Sequence, residues 1–139
     1  MYDARSAYVA TAVETAAPTR VVTLLFDRLL LDVDRAASAL TTADATAAAG
    51  HLQHAQDIVA ELMSSLDADA WDGGPGLMSL YTYLFSALVD AGVHADAEKL
   101  AECRSIVAPL AEAWHEAAAS LTAAAPAPAP AASGLLGVG

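Results

Sequence analysis

Basic residues and cysteine are scarce in this sequence, and each shortage argues against a class of function. Lys and Arg number 6 against 17 Asp and Glu in 139 residues, giving a formal net charge of −11. Such a chain is repelled by the phosphates of nucleic acids and by anionic membrane surfaces. The one cysteine, Cys103, cannot form an intramolecular disulfide, which favours a reducing compartment. We therefore expect a cytoplasmic protein with no nucleic-acid partner.

Signals for secretion, membrane insertion and β-structure are also lacking. The N-terminus has no basic region followed by an apolar stretch, so it does not indicate a secretory signal. No run of about 18 uncharged apolar residues predicts a spanning helix. Alternating valine or isoleucine runs and Asn-Gly turns are absent, which argues against strands. We expect an all-α protein without membrane insertion.

Alanine and helical periodicity dominate what is present. Apolar residues make up 56% of the chain, and alanine, the strongest helix former, supplies much of that share. Helix-start and helix-stop residues predict four long helices. The first begins at Pro18, the second at Asp44 or Thr46, the third runs from Leu77 to Gly92, and Asp96 caps the fourth.

The predicted fold is an antiparallel up-down four-helix bundle, because four long helices with short connections pack in this way. Residues 1–16 form a short N-terminal helical cap segment ahead of the bundle at 17–123. Repeated proline in the Ala/Pro-rich segment 124–139 predicts a disordered tail.

The core stripe of the second predicted helix includes Leu62 and Met63. Several other apolar residues lie outside the stripes that are expected to form the core. Leu24 and Leu31 lie one heptad apart, among charged residues and nearly opposite the core stripe of their helix. Ile58 lies at the margin of its own helix. A second stripe on the third helix consists of Met78, Phe85 and Val89. A wider core, a homodimer and a partner surface all remain open as explanations.

Residues for catalysis or metal binding are few. His51 and His54 lie three apart, but His54, Asp57 and Glu61 are predicted to face solvent, whereas bundle metal sites need inward ligands. Cys103 lies on an inward stripe and is interpreted as a core residue. We predict no enzyme activity, no metal and no cofactor; a metal-dependent bundle enzyme is the weakest alternative.

Short motifs follow one another in a set order along residues 1 to about 121. They are Met1-Tyr2, Ala7-Tyr8, Thr15-Ala16-Ala17-Pro18, Leu24-Leu25-Phe26-Asp27, Ala55-Gln56-Asp57-Ile58-Val59-Ala60-Glu61-Leu62, Ser65-Leu66, Leu80-Tyr81-x-Tyr83, Ala91-Gly92, Asp96 and Ala113-Trp114. This ordered set resembles the flagellar secretion chaperone family (FliS type). The sequence departs from the family in having Ala17 before Pro18, Phe26 in place of tyrosine, Gly92 in place of asparagine, and Pro109 inside the last helix.

The resemblance implies a helical bundle without enzymatic activity that holds the disordered C-terminal region of flagellin in apolar grooves. It implies that the chaperone prevents premature polymerisation and delivers flagellin to the flagellar export apparatus. The N-terminal segment then resembles a movable cap. A homodimeric structural or regulatory bundle without a flagellin client is the alternative. The expected partner-binding residues are Tyr8 in the cap and Leu24, Leu31, Ile58, Met78, Phe85 and Val89 in the grooves.

Overall fold

Four α-helices make up the fold in this computed structural model, which describes the backbone of residues 4–124 and the side chains of residues 19–123. They are α1 (Ala4–Thr41), α2 (Ala45–Ser65), α3 (Gly74–His94) and α4 (Ala97–Ala124). No strand occurs between residues 4 and 124. The predicted all-α, up-down four-helix bundle is confirmed. The proposed tail lies outside the described residues, apart from Ala124, which ends α4.

The chain divides into two compact units, with boundaries inside α1 and α4. Unit 1 comprises Met1–Thr23 and Ala113–Gly139, and unit 2 comprises Leu24–Glu112. In unit 1, α1 and α4 line a cavity of about 130 Å³. Its lining residues are Thr19, Arg20, Thr23, Ala118, Leu121 and Thr122.

Unit 2 contains the apolar core. Each of its helices contributes residues spaced three and four apart, the spacing that places them on one helix face. The rings of Phe26 on α1 and Tyr81 on α3 lie with centroids 6.3 Å apart, a distance typical of aromatic pairs. The largest fully buried apolar side chains are Phe26, Leu29, Val33, Leu52, Val59, Leu84, Leu88, Leu100, Cys103 and Val107.

Aspartate side chains cap two helices as the sequence predicts. The Ala47 amide donates to Asp44 Oδ1 at 3.0 Å, and the Lys99 amide donates to Asp96 Oδ1 at 3.1 Å. Each carboxylate satisfies an amide that has no partner within its helix. The caps therefore fix the residues at which α2 and α4 begin after the short turns that precede them.

Two of the four predicted helices have wrong bounds. The first helix begins at Ala4 and continues through Pro18, because the alanine-rich stretch before the proline favours helix strongly enough to include it. The third helix begins at Gly74 and passes Gly92 to end at His94. Ala95 instead adopts the left-handed conformation, with φ of 49°, which glycine usually occupies at a helix end.

Helix α3 is long and apolar enough to cross a membrane by length and composition, with a mean hydropathy of 1.3 over its most apolar window. The sequence analysis expected no such helix. Core helices of soluble proteins meet the same criterion, and α3 buries Tyr81, Leu84, Leu88 and Ala91 within unit 2. We therefore interpret its hydropathy as the consequence of core packing plus a second apolar row.

Candidate partner-binding surfaces

An open apolar groove lies between α2 and α3, entirely within unit 2. Its volume is about 510 Å³, within the range typical of ligand pockets. Met78 and Phe85 on α3, both half-buried, face Met63 on α2 across it. We call this site the α2/α3 groove; its remaining lining residues are Ala60, Ser64, Thr82 and Ser86.

The lining of the α2/α3 groove carries no charged side chain. Two of its hydroxyl groups donate to carbonyl oxygens of their own helices: Thr82 Oγ1 to Met78 O at 2.9 Å and Ser64 Oγ to Glu61 O at 3.1 Å. These hydroxyls already have an acceptor, so the surface suits apolar rather than charged ligands. Methionine is unbranched and flexible, so two methionines let the groove adapt to side chains of different shape.

The predicted site residues of α2 and α3 have different outcomes. Met78 and Phe85 meet in the α2/α3 groove, and Val89 lies one helical turn beyond it, half-buried. Ile58 is only 6% exposed, because it shares a buried face of α2 with Ala55 and Leu62. Its predicted surface position is therefore wrong, and we assign it to the core.

Met63 was predicted to be a core residue, and the structure places it in the groove instead. It follows the buried Leu62 directly, and it is half-buried. The helical pattern of α2 alone could not separate the two roles, because the position of Met63 is at the edge of the core stripe. The apolar row on the facing helix was the only sequence signal for a groove.

A second surface runs along the exposed side of α1. Leu24 is 60% exposed and Leu31 is 40% exposed. Arg28 and Arg35 follow them at a spacing of four residues and are also exposed, so the four side chains share one side of the helix. We call Leu24, Arg28, Leu31 and Arg35 the α1 face. Tyr8 also belongs to α1, but its side chain lies outside the described residues.

A buried carboxylate lies next to the α1 face. Asp32 is fully buried, and its Oδ1 accepts a hydrogen bond from Arg28 Nε at 3.1 Å. Its Oδ2 contacts His54 Nδ1 on α2. His54 is exposed, as the sequence analysis predicts, and its contact with the buried Asp32 is an addition to that prediction. Buried carboxylates need such partners, but a charged residue among apolar neighbours gives no sequence signal of burial.

Two further polar contacts join α4 to other helices of unit 2. Arg104 Nε donates to Asp34 Oδ1 on α1 at 2.6 Å, and this carboxylate raises the pKa of Arg104. Tyr83 on α3 donates to Glu102 Oε2 at 2.6 Å, and Lys99 Nζ lies 3.2 Å from Glu102 Oε1. The hydrogen bond from Tyr83, followed by that from Lys99, lowers the pKa of Glu102.

The cysteine has the environment of a core residue. Cys103 is fully buried, and desolvation raises the pKa of its thiol to about 11. A thiol that stays protonated is a poor nucleophile, so the prediction of a core role for Cys103 is confirmed. Among the described residues, no group of three or more His, Cys, Asp or Glu side chains is arranged to hold a metal ion.

Comparison with known proteins assigns the chain to a family. The family described as "Flagellar protein FliS" matches residues 1–121, which include α1, α2, α3 and nearly all of α4. The chain belongs to the FliS family. One FliS relative, from Bacillus subtilis (strain 168), has the name flagellar secretion chaperone FliS. It is 29% identical over 112 residues, which are 81% of this chain and 84% of the relative. The resemblance inferred from the ordered motifs is confirmed.

Proposed function

We propose that this FliS-family chain is a cytoplasmic flagellar secretion chaperone that binds the disordered C-terminal region of flagellin. By covering that region it prevents premature polymerisation, and it delivers flagellin to the export apparatus. Family membership and the name of the Bacillus subtilis relative support the chaperone role. We propose no catalytic role, in keeping with the family resemblance.

The α2/α3 groove is the observation that carries this proposal. Met78 and Phe85 lie seven residues apart on α3, two helical turns along the groove. A client segment that folds into a helix presents apolar residues at matching intervals, and its apolar face can then lie in the groove. Val89, one turn farther, would extend the contact. The gain from apolar burial must exceed the entropy lost when the segment becomes ordered.

Isothermal titration calorimetry with flagellin tests the proposal. We expect a one-to-one complex with full-length flagellin and a markedly negative heat-capacity change, since apolar surface is buried. Flagellin lacking its C-terminal segment should not bind. Equal affinity for the two forms of flagellin would contradict the proposal.

A matched pair of variants locates the contact. Phe85→Ser replaces a half-buried groove residue, whereas Thr82→Ser keeps the hydroxyl at a neighbouring position of the same lining. We expect Phe85→Ser to weaken flagellin binding at least about tenfold, roughly 1.4 kcal/mol, and Thr82→Ser to leave it unchanged. A wild-type affinity in Phe85→Ser would place the client elsewhere on the molecule.

We also propose that residues 1–16, including Tyr8, act as a cap that occupies part of the groove when the client is absent. The family resemblance is what suggests its movement. Leu24 and Leu31, which the sequence analysis expected in the flagellin grooves, do not line the α2/α3 groove and lie on the α1 face instead.

A further inference from the structure

We propose that the α1 face is a docking site for an acidic amphipathic helix of a protein other than flagellin. This inference goes beyond the proposed function, because the α1 face and the α2/α3 groove have no residue in common. It commits to a partner helix whose apolar residues cover Leu24 and Leu31 and whose flanking Asp or Glu residues pair with Arg28 and Arg35.

The spacing of the α1 face fits a helical partner. Leu24 and Leu31 are separated by one heptad, and so are Arg28 and Arg35. A heptad repeat keeps the same residues in contact with a second helix over successive turns. Both leucines are substantially exposed, so this row is available for contact with a partner helix.

The charge of the α1 face fits an acidic partner. The chain has only 6 basic residues against 17 acidic ones, and two of the six belong to this face. Arg35 forms no ion pair with any described residue, and Arg28 contacts Asp32 through Nε alone, one of five guanidinium donors. Asp34, the next acidic residue on this helix, is already paired with Arg104. Carboxylates on a partner would therefore find the guanidinium of Arg35 and the remaining donors of the Arg28 guanidinium.

The two arginines of the α1 face argue against a second copy of this chain as the occupant. In a symmetric dimer the same face of each copy would meet, which would bring Arg28 and Arg35 of one copy close to those of the other. Arg28 and Arg35 also argue against the C-terminal region of flagellin as the occupant. The α2/α3 groove proposed for that region has no charged lining residue. The two surfaces therefore select different ligands, and the α1 face can bind its partner while flagellin occupies the groove.

Two synthetic helical peptides of about three heptads test the proposal. Both carry leucine at the a and d positions; one carries Glu and the other Lys at e and g. Fluorescence anisotropy with the full chain should show at least about tenfold tighter binding of the Glu peptide, with the difference shrinking as salt is raised. Arg35→Glu should reverse the preference between the two peptides. Leu31→Ser should weaken both complexes.

Control measurements keep the outcomes distinct. Circular dichroism first establishes that each variant folds, and Phe85→Ser should bind the Glu peptide as the wild type does. An unchanged preference in Arg35→Glu would overturn the proposal. Loss of flagellin binding in Arg35→Glu would overturn it too, by assigning the face to the client. The proposal would also be overturned if sedimentation showed that the wild type is a dimer and that Leu31→Ser is a monomer. If flagellin fails to bind the wild type, the proposed function fails while the peptide result still decides this inference.

Discussion

At the residue scale, neighbouring leucines on α1 have opposite roles. Leu29 is fully buried, whereas Leu31 is 40% exposed. Leu29→Asp would bury an unpaired charge in the core, and we expect it to unfold the protein or to cost several kcal/mol. Leu31→Asp should change the free energy of unfolding by no more than about 0.5 kcal/mol. Thermal and urea unfolding measure both effects. Similar losses in the two variants would refute the separation between core and surface.

The buried thiol of Cys103 predicts how stability depends on pH. Burial raises its pKa from an ordinary value of 9.0 to about 11, so the folded state retains the proton more strongly than the unfolded state. The resulting contribution is complete below pH 9.0 and is lost as pH rises to about 11. At about 1.4 kcal/mol per pKa unit, the loss approaches roughly 3 kcal/mol.

Unfolding in guanidinium chloride at several alkaline pH values measures this loss in the free energy of unfolding. Cys103→Ala provides the control, because it removes the titrating group and should flatten the first part of the decline. Burial also raises the pKa of Tyr81 to about 12, so a second decline should remain at higher pH in the variant. Identical pH profiles for the variant and the wild type would assign the decline to other groups.

At the element scale, glycines in the helices have opposite surroundings. A Cβ at Gly50, inside α2, would meet no atom within 4 Å outside its own stretch of helix, while a Cβ at Gly74 would overlap the Ala68 carbonyl oxygen. Gly50→Ala should therefore stabilise the protein by about 0.5–1 kcal/mol, since alanine loses less backbone entropy in a helix. Gly74→Ala should destabilise it by displacing the loop before α3. Denaturation midpoints of the two variants measure both effects. If Gly74→Ala also stabilised the protein, the loop before α3 would be free to move away from the added methyl group.

The helices themselves were predictable because their signals are local. Asp96 caps its helix as predicted, and Asp44, one of the two predicted starts of α2, caps the other, since an aspartate just before an apolar periodic run stabilises the first amides wherever the helix packs. The end of α3 was not predictable from Gly92. The helix continues for two further residues, Val93 and His94, and Ala95 takes the left-handed conformation, in which its amide donates to the Ala91 carbonyl oxygen.

The candidate site residues were predictable only where apolar residues repeat at helical spacing outside a core stripe. The row of Met78, Phe85 and Val89 and the pair Leu24 and Leu31 were visible as apolar residues outside a core stripe. Their groove partner Met63 and the buried Asp32 were not, because both depend on which neighbouring helix faces them. Ile58 was misassigned for the same reason: the edge of a stripe is buried or exposed according to the packing of the adjacent helix.

At the scale of the whole molecule, the division into units separates the proposed cap from the client groove. Residues 2–16 belong to unit 1, and every lining residue of the α2/α3 groove belongs to unit 2. Deleting residues 2–16 therefore removes none of the groove lining. It also leaves intact the core residues of unit 2, which supply the largest buried apolar side chains.

This separation gives the deletion of residues 2–16 a defined outcome. If the segment caps the groove, it competes with flagellin, and its removal should leave unit 2 folded while client affinity rises or stays level, because no fraction of the chaperone is closed. If the segment is instead an integral part of the fold, the melting temperature should fall by several degrees.

Hydrogen exchange on the intact chain separates the two cases without a deletion. A movable cap requires fast exchange at residues 2–16 beside slow exchange at 24–41, since local opening leaves the core protected. Equal protection of the two stretches, which belong to one continuous helix from Ala4 onward, would eliminate the cap and assign those residues to the permanent fold.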